Sequence, residues 1–511
     1  MISGRKGKAF FSTTLLYLHY FCWSCKSSPL KHAPTLLSLV LATTFFTAAR
    51  AQNLVRAEAQ PDIPQLLLEI YLPIAPQYSL KNYKITYRTT DTDGNPTEAS
   101  GLLTLPDDDA TVFPLAAYMH GTALDRDRVP SNPVTEERFL VYALATSGYI
   151  ALAPDYLGYG VNEGFHPYVH AASEASAGRD MIAAVREFLE QEGIRHTGQL
   201  FVTGYSQGGH ASSALHRDIQ ANRDSLGYDV TAGAHLSGPY SISEVMRKAT
   251  LTNDRPTLPG FIVYTYVSYN NVYGLYDNLG QAFVAPYLAV IDSFDRELID
   301  GEHFNAQLDT LLRERDERLI DMFQDSIAAQ IEANDPASRI IQALRANDTY
   351  EWAPEAPTLL YYCTEDEQVP FRNAIVADSA MRARGSTSVL LESGGPRDHG
   401  QCVEPALRRA LEFFDSLADR YPTGLKAAPT DLPELRLSPN PVSAGGTVRL
   451  SGLDPTGLTY ILYDGTGRQL REGKIATDGT LTLGGERVSG LHLLRVILPD
   501  GRYAVRKLLL R

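Results

Sequence analysis

The chain is short of positive charge: 46 Lys and Arg face 60 Asp and Glu, for a formal net charge of −14. Phosphate backbones need a basic footprint, so nucleic acid is excluded as a partner. Cofactor signatures are missing too. There is no G-x-x-x-x-G-K-[ST] loop, no G-x-G-x-x-G opening a helix after a strand, no H-E-x-x-H and no paired C-x-x-C. Phosphate-bearing cofactors and zinc have no motif to hold them, and neither a cofactor nor a metal is expected. Cysteine is rare, with four in 511 residues. Low-complexity tracts are absent. The composition, 44% hydrophobic and 21% charged, is that of a globular protein too long for one ordinary domain.

An apolar run, "APTLLSLVLATTFFTA" (33–48), follows Lys26 and Lys31 and precedes Ala49-Arg50-Ala51. It is shorter than a spanning helix of ~20 residues and ends on the small-x-small pattern that a signal peptidase reads. Residues 1–51 are therefore expected to be a signal peptide cut after Ala51, in preference to a membrane anchor. The long stretch ahead of the run fits a start codon placed too far upstream. Removal takes Cys22 and Cys25 away, leaving Cys363 and Cys402 in an oxidising compartment, as a disulfide or as two free thiols.

From about residue 80 strands and helices alternate. "NYKITYRTT" and "ASGLLTLP" read as edge strands, and "VFPLAAYMH" (112–120), "YIALAPD" (149–155) and "QLFVTG" (199–204) as buried parallel ones. "AGAHLSG" (232–238), "TLLYYC" (358–363) and "SVLLES" (388–393) continue the series. Helical periodicity marks the segments from 133 to 148, from 175 to 193, behind "QLFVTG", and from 402 to 421. This alternation predicts an α/β fold, a doubly wound and mostly parallel sheet covered on both faces. Residues 240–350 interrupt it and are expected to form an inserted helical cap. Its tyrosine-rich stretch (261–280) either lines a pocket or packs the cap. A linker (421–434) then leads to short alternating strands from 435 to 511, a small all-β sandwich.

The chemistry centres on "VTGYSQGGH" (202–210), where Gly204-Tyr205-Ser206-Gln207-Gly208 forms G-x-S-x-G between a strand and a helix. A serine at so tight a turn is exposed above the sheet, and the glycines at 204 and 208 avoid clashes there. A serine hydroxyl needs a base, and the base an orienting carboxylate, in the chain order Ser, Asp or Glu, His. The carboxylate is expected behind "TLLYYC", at Asp366 in D-x-x-V-P, with Glu365 and Glu367 as solvated loop charges. Downstream histidines are His399 and His492, and His492 lies past the linker, so His399 is the expected base. Oxyanion donors are expected from the Gln207 amide and from Gly121 or Thr122 behind the third strand. The His120 ring is read as a satisfied strand-end histidine. If these loops meet, Cys363 and Cys402, each three residues from a catalytic candidate, are neighbours, and a disulfide between them is expected.

These residues resemble an α/β-hydrolase fold serine hydrolase of the secretory lipase and esterase-like group. The likeness rests on "MHGT", "APDYLGYG" (153–160), "GYSQGG", "DEQVP" and "DHG", and covers about residues 65–420. It implies a Ser206/Asp366/His399 triad, an acyl-enzyme, and hydrolysis of a small-molecule or lipid ester, with a serine peptidase or a non-catalytic surface binding protein as alternatives. The Asp155, Tyr156, Gly158, Tyr159 and Gly160 segment is read as shaping the site floor. The end of the chain, through "LSPNPVSAGGTVRLSG", "YDGTGRQL", "VSGLHLLRV" and "YAVRKLLLR", is similar to a type A sorting domain of the type IX secretion system. That implies the type IX machinery as a partner and a secreted or cell-surface protein.

Overall fold

The computed structural model describes residues 52–252, 258–422, 435–443, 445–463, 469–484, 490–498 and 503–510. The expected signal peptide lies outside the described residues, as does the linker beyond Pro422.

The main sheet is built from β1 (Leu54–Ile63), β2 (Leu80–Thr90), β3 (Pro96–Pro106), β4 (Thr111–Met119), β5 (Ile150–Pro154), β6 (His196–Tyr205), β7 (Ala232–Leu236), β8 (Thr358–Tyr362) and β9 (Val389–Ser393). Their spatial order is β1-β2-β3-β5-β4-β6-β7-β8-β9. The strands from β5 to β9 run parallel, and β1, β2 and β3 form an antiparallel end. Two details differ from the sequence expectation. Neither β2 nor β3 is an edge, because β1 pairs with β2 ahead of the expected domain start at residue 65 and β3 lies between β2 and β5. The first two linker residues, Tyr421–Pro422, form β10 and pair with β4.

Period-two alternation assigns side chains to the two faces. In β4, Leu115, Ala117 and Met119 face one core, shared with Val185 and Leu215, while Ala116 and Tyr118 face the other, shared with Val141 and Phe414. Around these strands stand α1 (Gln65–Tyr71), α2 (Arg138–Thr146), α3 (Ala171–Gln191) and α4 (Gln207–Leu226). The first face is covered by α3 and α4, the second by α2 and the last helix.

Between β7 and β8 the described residues are mainly helical: α5 (Arg247–Leu251), α6 (Pro259–Tyr273), α7 (Tyr287–Asp295), α8 (Gly301–Arg315), α9 (Asp325–Ala333) and α10 (Arg339–Ala346). This insertion has its own core, in which Val263, Tyr264 and Tyr269 of α6 meet Phe304 and Leu308 of α8. After β8 come α11 (Arg372–Ala383) and α12 (His399–Asp415).

Entry and exit of the insertion are tied by Asp348, whose carboxylate accepts from Ser243 N (2.9 Å) and Ser243 Oγ (2.5 Å). Burial pushes the Asp348 carboxyl from 3.8 up to about 6. A folded-state pKa above the unfolded one means that folding favours the protonated form. The stabilisation is full below about pH 4 and is lost as pH rises through about 6, a change of about 3 kcal/mol. Urea unfolding at each pH should therefore show the wild type losing about that much relative to Asp348→Asn between pH 4 and 7. Parallel curves for the two proteins would mean that the carboxyl is not perturbed.

The C-terminal residues form two antiparallel sheets. One holds β11 (Arg436–Ser438), β12 (Thr447–Ser451) and β15 (Thr480–Thr482); the other holds β13 (Thr459–Tyr463), β14 (Gln469–Lys474), β16 (Gly490–Ile497) and β17 (Tyr503–Leu510). Val448 and Leu450 of the first sheet share one apolar core with Tyr460, Leu462, Leu494 and Val496 of the second. Among the described residues, no helix is long and apolar enough to cross a membrane.

Candidate active site

The parallel register sets the site. Met119 of β4 lies opposite Gly204 of β6, Tyr205 opposite Leu236 of β7, and Leu236 opposite Tyr361 of β8. The loops after these strands therefore leave the sheet at one edge, where open α/β sheets present their functional groups.

Ser206 joins β6 to α4 with φ 61° and ψ −124°, a backbone that a non-glycine residue adopts only under constraint. The constraint is the close approach of chains around it. A Cβ on Gly204 would lie 2.2 Å from Gly208 O, and one on Gly208 would lie 1.9 Å from Met119 O. Gly209, which the sequence reading did not single out, is held as tightly: its Cβ would meet Leu236 O at 2.5 Å.

His399 Nε2 stands 2.9 Å from Ser206 Oγ. On the other side of the ring, Nδ1 lies 2.9 and 2.8 Å from the two Asp366 oxygens. A carboxylate facing Nδ1 requires the proton there, which leaves the Nε2 lone pair to accept from the serine hydroxyl. Asp366 is buried and accepts from Gln368 N (3.1 Å) and Val369 N (2.8 Å). His399 opens α12 rather than sitting in a loop, with Asp398 Oδ1 capping the helix at Gln401 N. Its main chain is held at both ends, since its N–H donates to Glu367 (3.0 Å) and its carbonyl accepts from Tyr205 Oη (2.6 Å). Glu367 is therefore engaged, although exposed.

Cys363 and Cys402 are joined in a disulfide that ties the end of β8 to the first turn of α12 across a separation of 39 residues. A loop of that length implies about 2–4 kcal/mol of stabilisation. The Cys363→Ser/Cys402→Ser double variant should lose that much in urea unfolding, and its activity should fall at temperatures where the wild type persists.

The loop behind β4 carries His120, Gly121 and Thr122. The buried His120 ring contacts the Gly121 and Asp155 carbonyls and stacks on Tyr156 at 4.1 Å. Below it, Tyr156 Oη donates to His120 O (3.0 Å) and Tyr159 Oη to Ala123 O. Burial pushes the Glu137 carboxyl up, opposed by the His120 ring and the Gly121 amide. Thr122 Oγ1 contacts Tyr168 Oη at 3.0 Å. A Cβ on Gly121 would meet Tyr205 O at 3.6 Å, an ordinary contact, so the protein itself does not require glycine there.

A buried polar group behind the elbow carries no local sequence signature. The Gln207 side-chain amide donates to Glu174 Oε1 (2.9 Å) and to His166 Nε2 (2.9 Å). Glu174 Oε2 lies 2.7 Å from His210 Nδ1. Burial pushes His166 down to about 3, so its ring is neutral and able to accept from Gln207. Gln207 is thus pinned from beneath, and with it the orientation of the first peptide of α4.

A mostly apolar pocket opens on Ser206 and Gln207 and runs into the insertion past Tyr168, Phe261, Ile262, Tyr266 and Leu344. The tyrosine-rich stretch serves both expected ends: Tyr266 lines this pocket, while Tyr264 stacks on Tyr168 at 4.5 Å within the insertion's core. Among the described residues, no group of three or more His, Cys, Asp or Glu is placed to hold a metal ion.

Among solved structures, the chain is similar to a candidate hydrolase of Legionella pneumophila, with 28% identity, a TM-score of 0.64, and coverage of 71% of this chain and 98% of that one. It is similar to a ligand-bound form of the rice cell wall degrading esterase LipA of Xanthomonas oryzae, with 27% identity, a TM-score of 0.63, and coverage of 72% and 98%. Candida antarctica lipase A, at 15% identity, a TM-score of 0.51, and coverage of 72% and 83%, shares the fold. No curated protein matches the chain. The family model for secretory lipases matches residues 128–401, more than half of the chain, including Ser206, Asp366 and His399. The chain belongs to the secretory lipase family, as a lipase- or esterase-like hydrolase on the α/β-hydrolase fold.

Proposed function

We propose that the protein hydrolyses carboxylic esters through an acyl-enzyme on Ser206. The observation that carries this reading is the hydrogen-bonded line from Asp366 through His399 to Ser206, at the mouth of an apolar pocket. Ser206 Oγ attacks the ester carbonyl as His399 Nε2 takes its proton, and Asp366 stabilises the imidazolium that forms. The Gln207 amide supplies one oxyanion donor. The second comes from the loop behind β4, from the amide of Gly121 or Thr122. His399 returns the proton to the departing alkoxide, and water attacks the acyl-enzyme by the same route.

The helical insertion acts as a cap that sets selectivity, since its residues form most of the pocket wall. The two C-terminal sheets are read as a sandwich-like type A sorting domain. With the signal peptide, it would route the protein through type IX secretion to the medium or the cell surface.

A fluorophosphonate probe tests the reading together with a series of p-nitrophenyl esters from two to sixteen acyl carbons. Stoichiometric labelling at Ser206 and ester turnover without cleavage of aminoacyl amides are expected. Amide cleavage at comparable rates would make the protein a peptidase, and absence of labelling would leave a binding protein.

A further inference from the structure

Arg247 lines the same pocket as Ser206, yet it is 5% exposed. Its Nε donates to Ser243 O (2.9 Å) and its Nη1 to Ile331 O (2.6 Å). Those bonds fix the guanidinium but bring no carboxylate into contact with it. Among the described residues no carboxylate pairs with it, and Glu244, one turn away, is taken by Lys248 at 2.7 Å. Buried charges are normally paired, because water is not there to solvate them. Beside it, Tyr266 Oη is buried and donates to no acceptor among the described residues, with Thr250, placed to donate to it, and Arg247 as polar neighbours. Burial pushes this phenol up to about 12, so it keeps its proton and can donate. A mostly apolar pocket thus contains a cation and an unused donor, both held by the protein's own packing.

We propose that the arm of the ester entering this pocket ends in an anionic group, a carboxylate, held by Arg247 and Tyr266. The substrate class is then half-esters of dicarboxylic acids or esters of hydroxy acids, not plain fatty esters. The inference rests on Ser206 being the reacting residue. The mostly apolar lining of the pocket limits water and so strengthens the charge-assisted contact.

The test compares monomethyl glutarate with methyl hexanoate (charge on the acyl arm), and 4-acetoxybutanoate with pentyl acetate (charge on the alcohol arm). For one of the two pairs, wild-type kcat/KM should favour the charged ester by about tenfold or more. Arg247→Met should cut that preference at least tenfold, and Tyr266→Phe should cut it less. A wild-type preference for the uncharged ester in both pairs overturns the proposal, as does a preference untouched by Arg247→Met. If no ester is turned over, the reading of Ser206 fails, and calorimetry on Ser206→Ala with the same four compounds decides the pocket's specificity. Tighter binding of a charged member upholds the assignment of Arg247, and equal binding within a pair overturns it.

Discussion

Replacing Ser206 with alanine is expected to lower kcat on a soluble short-chain ester about a million-fold. The side chain makes one hydrogen bond, to His399 Nε2 at 2.9 Å, so its removal should change stability by only about 1 kcal/mol. A large kinetic loss with a small stability change is what a nucleophile shows and a packing residue does not. His399→Ala should cost about as much, and the double variant no more than either, because the groups act as one unit. Asp366→Asn should cost less, about ten-thousand-fold in kcat. Its new amide presents a donor to Nδ1, which drives the imidazole to the tautomer whose Nε2–H can no longer accept from Ser206. Stopped assays on purified variants at matched protein concentration, with fluorophosphonate titration to count active sites in the wild type, measure all four. Ser206→Ala retaining about a hundredth of the activity or more would place the chemistry elsewhere.

The parts of the site legible in the sequence are those tied to short local patterns. Ser206 stands in "GYSQGG" between a strand and a helix, and the chain order left few residues for Asp366 and His399. What escaped reading lacks local periodicity. The β1 strand buries only Leu54 fully and carries Arg56, Glu58 and Pro61, so no apolar alternation announces it. The Glu174–Gln207–His166 cluster joins residues 33 and 41 positions apart through buried polar contacts. On α3, Glu174 reads as one more acidic helix residue. Arg247 has the same character, because its meaning depends on which cavity its helix borders. At Gly121 the protein itself leaves room for a methyl group, whereas at Gly208 it leaves none.

That contrast makes Gly208 the most demanding position for the fold itself. Gly208→Ala is expected to cost about 4–5 kcal/mol or to prevent folding altogether. The added methyl would lie 1.9 Å from Met119 O and 2.9 Å from His120 O, and both are backbone atoms with no rotamer to swing away. Relief requires moving α4 off the end of β4, but β4 and β6 are locked in parallel register from Leu115 opposite Leu200 to Met119 opposite Gly204. The displacement would also carry Ser206 away from His399. Gly121→Ala is the matched control, the same methyl on the neighbouring loop with its nearest atom 3.6 Å away. It should shift stability by no more than about 1 kcal/mol, in either direction. Urea midpoints of the two variants decide between them: a Gly208→Ala protein as stable as Gly121→Ala would mean that the elbow has slack. If Gly121→Ala folds normally yet loses kcat, the small residue is needed by the bound substrate and not by the fold.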